Sequence, residues 1–101
     1  MTNKYKPDNW VIVEIDNDGE PFYKVLAGWS GGYLDGDSWR MNSGITSIEA
    51  FETYYLIHGE SGSIYQCYKN REKLRFNNSH IADKIHESGR GRIISFKNLK
   101  L

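Results

Sequence analysis

The chain has one cysteine, Cys67, so it can form no internal disulfide, and a crosslinked secreted scaffold is excluded. It has no net charge: thirteen basic and thirteen acidic residues cancel. No global field then draws it to DNA, RNA or an anionic membrane, which argues against dedicated nucleic-acid binding. No apolar run approaches the roughly 20 residues that cross a bilayer, and the polar opening from Met1 to Asn9 lacks the apolar centre of a signal peptide. These absences predict a cytoplasmic protein without a membrane partner. Internal repeats, heptads and linkers are also missing, which leaves a single domain over residues 10–101 behind a flexible leader at 1–9.

What the chain does have is aromatic weight. Seven tyrosines, four phenylalanines and three tryptophans in an alanine-poor sequence favour strands over a helical bundle. Trp10 to Ile15 is dense in β-branched residues and predicts a strand with Val11, Val13 and Ile15 on one face. Asp16 to Pro21 reads as a turn in which Gly19 supplies positive φ, and Phe22 to Trp29 completes a hairpin. A calcium loop fails at this turn, because with Gly19 in sixth place Val25 stands where a bidentate glutamate belongs. Further on, Thr53 to His58 and Ser63 to Lys69 predict a second hairpin across Gly59 to Gly62. Both of its faces are apolar, which places it centrally in a sheet. Ser79 is the expected N-cap of a short helix carrying Ile81, Ala82 and Ile85, with Gly89 ending it. Arg90-Gly91-Arg92 then leads into a last strand at 93–97. The expected fold is α+β: five or six mostly antiparallel strands in one twisted sheet or partial barrel, with this helix packed against them.

Unusual chemistry is concentrated between Gly28 and Gly44, which hold half of the ten glycines and two of the three tryptophans. The Gly31 to Gly36 spacing matches a phosphate loop, but Asp37 stands where that loop needs lysine and would repel a phosphate. Asp35 and Asp37, two apart in a loop, are not set opposite a scissile bond as paired catalytic carboxylates are; turn formation and solubility account for them more simply. Trp29, Tyr33, Trp39 and Arg40 are different. Each tryptophan taken alone is more often a core plug, yet aromatics beside an arginine are also the combination that stacks on bases or anchors a protein interface.

Other motifs are weaker. Gly59-Glu60-Ser61-Gly62-Ser63 has its second glycine one place early for a nucleophile elbow and runs into a strand instead of a helix. Cys67 with His58 suggests a thiol and its base, but a mid-strand cysteine is usually a small buried hydrophobe. His80 and His86 point about 120° apart on a helix and do not chelate together. Lys69 to Arg75, four cations and one acid, reads as a solvated connection that has the charge to touch phosphate or an acidic partner. No catalytic residue, metal ligand or cofactor site is assigned.

In Gly28-Trp29-Ser30-Gly31-Gly32-Tyr33, Gly36-Asp37-Ser38-Trp39-Arg40, Asn42-Ser43-Gly44-Ile45 and Ser61 to Lys69, the chain resembles small accessory proteins of large virulent tailed phages. The resemblance covers about a third of the chain by these motifs and carries over no catalytic residues. It implies a setting, the host bacterial cytoplasm during infection, where such proteins commonly block a host enzyme, a defence system or its nucleotide signal. Two functions are expected. The first is a non-enzymatic phage protein that binds and inhibits or modulates a host protein, a defence protein among the candidates, through Trp29, Tyr33, Asp35, Asp37, Trp39 and Arg40. The second is a binder that sequesters a nucleotide-like molecule, its base stacked on an aromatic and its phosphates met by Arg40 or Arg71. Self-association is compatible with either.

Overall fold

A computed structural model of the chain describes residues 3–30 and 38–101. In chain order the elements are β1 (Lys4–Tyr5), β2 (Asn9–Asn17), β3 (Glu20–Trp29), β4 (Ser38–Met41), β5 (Ile45–Ala50), β6 (Tyr54–Gly59), β7 (Ile64–Tyr68), α1 (Ser79–Ser88) and β8 (Gly91–Ile94). The α+β class is as the sequence predicts, but the strands divide between two four-stranded sheets, ordered β1-β7-β6-β5 and β4-β3-β2-β8. Among the described strands, every strand-to-strand pairing is antiparallel except that of β1 with β7. Neither sheet closes into a barrel among the described residues.

The run Trp10-Val11-Ile12-Val13 explains the layering. Side chains alternate across a strand, and here both sides are apolar, so both faces of β2 must be covered. Trp10 and Ile12 join Tyr23, Val25 and Ala27 of β3 against Ile57, Tyr65 and Cys67 of the other sheet. Val11, Val13 and Leu26 face the opposite way, onto Ala82 of α1, with Ile81, Ile85 and Ile93 around them. The molecule is therefore three layers deep: sheet, sheet, helix. Full burial of each large aliphatic side chain contributes about 1.5–3 kcal/mol, and Ile12, Val13, Val25, Leu26 and Ile57 are all completely inaccessible.

Local chemistry fixes the connections. Asp18 and Gly19, both at positive φ (53° and 90°), turn β2 into β3 through the two-residue loop whose twist suits a hairpin. The Asp16 carboxylate accepts the Gly19 N–H at 2.9 Å, so these acidic residues serve the turn. The chain passes from one sheet to the other at Asn42-Ser43-Gly44. There the buried Asn42 continues the ladder, its side-chain oxygen accepting the Val25 N–H at 2.8 Å while its own N–H reaches the Val25 carbonyl. Ser43 Oγ accepts the Ser61 N–H at 2.9 Å, stitching the corner to the β6–β7 loop. Helix α1 begins one residue beyond its Asn78 N-cap and ends at Gly89, in the left-handed conformation with φ 72°. Residues 4–9, expected as part of a flexible leader, carry β1 and a fully buried Pro7. The final strand is Gly91–Ile94, shorter and earlier than the expected 93–97.

Candidate binding surface

The hairpin of β3 and β4 sets out what is described of the glycine-rich segment. Ala27 pairs with Arg40 and Gly28 with Trp39, and paired residues share a face. Arg40 therefore lies on the face turned to the other sheet, and Trp39 on the face turned to the helix. The Arg40 guanidinium sits 4.8 Å from the ring centre of Tyr5, and Tyr5 in turn lies 5.0 Å from Tyr65 and 6.2 Å from Trp29. Trp29 is half-buried, and its indole N–H donates to the Lys6 carbonyl at 3.0 Å. It ties the first residues of the chain to the sandwich edge. Trp39 is 43% exposed on its edge strand, whereas Trp10 is fully buried with its N–H donated to the Tyr68 carbonyl at 2.7 Å. The three other residues assigned to this site, Tyr33, Asp35 and Asp37, lie outside the described residues.

A second surface begins where the basic run Lys69 to Arg75 ends, and its asparagines and Phe76 are residues that the sequence does not single out as functional. Asn9, Asn77 and Asn78 are at most 2% exposed, and a buried amide is costly unless its hydrogen bonds are made. Asn77 Nδ2 donates to Asn9 Oδ1 at 2.7 Å. Asn9 Nδ2 donates to Asn78 Oδ1 at 3.2 Å and to the Lys73 carbonyl at 3.1 Å. Asn78 Nδ2 reaches the Leu26 carbonyl. The same Asn78 Oδ1 accepts the Arg75 N–H at 2.9 Å, and the Asn78 and Ser79 N–H groups return to the Arg75 carbonyl. The turn from Arg75 to Asn78 is thus clamped from both ends, with Phe76 at its tip, 91% exposed. Asn77 lies over Gly28, the register partner of Trp39, so the turn and Trp39 rise on the same side of the sheet.

Sheet geometry removes the thiol–imidazole pairing. Cys67 pairs with Tyr55 and points into the core, while His58 is on the outer face, its Nε2 2.7 Å from Glu49. Burial pushes the Cys67 thiol well above its ordinary value, and the Glu72 carboxylate adds to the effect; a neutral thiol is a poor nucleophile. His80, Asp83 and His86 are exposed on α1, and among the described residues no three His, Cys, Asp or Glu side chains converge as metal ligands. A cleft of about 580 Å³ opens at the far end of the sandwich between Tyr23, Arg92, Ser95, Asn98 and Lys100. Its cations are Arg92, held at 2.9 Å by Glu14, and Lys100. Arg40 lies over Tyr5, and the Arg71 guanidinium reaches the Asp8 carbonyl.

Neither a protein-family model, nor a curated protein, nor a solved structure matches the chain. The functional reading accordingly rests on the geometry of these surfaces.

Proposed function

We propose that the chain is a small non-enzymatic protein-binding module that inhibits or modulates its target, with Trp39 as an interface anchor. The phage resemblance makes a host protein of the infected cell the target class. The observation that carries this reading is the exposure of Trp39. A tryptophan left 43% open on a four-residue edge strand contributes little to the core, and tryptophan is among the residues most enriched at the energetic centres of interfaces.

The test is native mass spectrometry of the chain isolated from its host, comparing wild type with Trp39→Ala. The expected result is a bound host protein with wild type and at least a tenfold weaker complex with the variant, on the scale of an interface anchor. Its denaturation midpoint should stay close to that of wild type. An unfolded variant would make Trp39 a core residue and remove the reading.

The 580 Å³ cleft favours one alternative, capture of a small organic anion by Lys100 beside Tyr23, with Arg92 shared with the Glu14 carboxylate that also lines the cleft, since its size falls in the range of ligand pockets. A small-molecule mass released on denaturation, and lost in Lys100→Ala, would support that second reading instead.

A further inference from the structure

We propose that the turn from Leu74 to Ser79 is a docking site for an acidic, apolar segment of a partner protein, with Phe76 as its aromatic anchor. The inference rests on the protein-binding reading and names the chemistry of a contact within it. Leu74, Arg75, Phe76 and Ser79 line an open groove of about 400 Å³. Leu74 is 41% and Phe76 91% exposed. Among the other exposed apolar residues described, Phe51 stacks on Tyr54 at 4.9 Å. Phe76 stands in the turn between β7 and α1 with its ring in water.

The turn that presents Phe76 is held by three buried asparagines. Rigid presentation matters because a turn whose backbone is already held leaves only the Phe76 side chain to be ordered on docking. Exposed aromatic anchors of this kind dominate binding energy where a partner supplies an apolar recess.

Charge selects the occupant. Of the four cations between Lys69 and Arg75, Lys69 lies over the Tyr55 ring at 5.0 Å and Arg71 reaches the Asp8 carbonyl. The one acid, Glu72, has a carboxylate oxygen occupied by the Phe96 N–H at 2.7 Å. Among the described residues, Lys73 and Arg75 face no carboxylate within ion-pair distance. They flank Leu74 in sequence, and Arg75 lines the groove with Phe76, so an incoming segment that pairs a bulky apolar side chain with aspartate or glutamate satisfies both features. A nucleic acid fits less well: one projecting ring gives no run of stacking platforms, and the chain carries no net positive charge.

The test uses the full-length chain and three defined probes. These are a short fluorescent peptide with alternating leucine and glutamate, the same peptide with lysine for glutamate, and a short oligouridylate. The expected result is salt-sensitive binding of the glutamate peptide alone, weakened about thirtyfold or more in Phe76→Ala, the scale of an interface anchor. Arg75→Glu should turn the preference toward the lysine peptide, while Phe76→Ala keeps the wild-type denaturation midpoint because its ring is solvated. Equal binding of the two peptides, binding indifferent to Phe76, no peptide binding, or Phe76-dependent binding of the oligouridylate alone would each overturn the proposal. A chain that keeps a Trp39-dependent protein partner and fails the peptide arms loses this docking site only. Phe76-dependent peptide binding without a Trp39-dependent partner keeps the docking site and removes Trp39 as anchor.

Discussion

Gly28 has no side chain because Asn77 occupies the space one would need. Its Cα meets the Asn77 amide so closely that an added methyl collides with it, and Asn77 cannot withdraw without releasing its bond to Asn9. Gly28→Ala should therefore destabilise the chain by about 1–3 kcal/mol, the usual cost of overfilling a packed site, read as a lower urea midpoint with an unchanged denaturant slope. Gly62 makes the control for steric crowding, since nothing lies within 4 Å of a Cβ there; at φ 91° an alanine costs backbone strain alone, about 1–2 kcal/mol. The sequence shows residues 28–44 as rich in glycine, and closely spaced glycines let another group approach the backbone. At Gly28 the close neighbour is the chain's own Asn77. No spacing rule links residues so far apart in sequence, which is why the asparagine cluster, and with it the placement of Phe76, could not be read in advance.

At the scale of elements, hairpins were legible and their assembly was not. Asp-Gly between two β-branched runs specifies the β2–β3 hairpin locally, and the doubly apolar β6–β7 hairpin does stand in the middle of its sheet. The outer face of that hairpin, with Tyr54, Leu56 and Tyr68, is left half-exposed instead of covered. A Ser-Gly pair such as Ser43-Gly44 marks a bend, but a bend between neighbouring strands and a crossing between sheets leave the same trace in sequence. What decides is Asn42, whose side chain replaces a backbone partner for Val25, and no local pattern announces that. The helix start shows the same limit. Ser79 has the chemistry of an N-cap, yet Asn78 takes the position and spends its side chain on Arg75, Asn9 and Leu26. Asn78→Ala should then cost about 2 kcal/mol or more, because it strands buried partners in addition to losing its own bonds. Hydrogen exchange should quicken first at the Arg75 amide, ahead of the β2–β3 ladder. Equal acceleration throughout both elements would mean that the turn is not separately held.

For the molecule as a whole, the contact between the two sheets is where acid–base chemistry meets stability. Tyr65 packs between them at 1% exposure, and burial pushes its phenol from an ordinary 10.0 up to about 12, against the downward pull of the Arg40 guanidinium. Cys67 beside it is raised from 9.0, again by burial. Both groups are neutral in the folded chain at pH values where the unfolded chain has begun to ionise them. Ionisation stabilises whichever state permits it, so each group's contribution is fully present below its unfolded pKa and is lost as pH rises toward the folded one. The stability of the chain should fall on going from pH 9 to pH 12, with the tyrosine's share confined to the interval above pH 10. Tyr65→Phe keeps the ring and cannot ionise; its urea midpoint should match wild type at neutral pH and exceed it increasingly above pH 10. Lysine deprotonation affects both chains alike and cancels in that difference. Arg40→Ala should steepen the wild-type loss, since the guanidinium is what favours the phenolate between the sheets. If the wild-type and Tyr65→Phe curves run parallel through pH 12, the tyrosine is not held neutral by its burial, and Arg40 has no electrostatic hold on the seam.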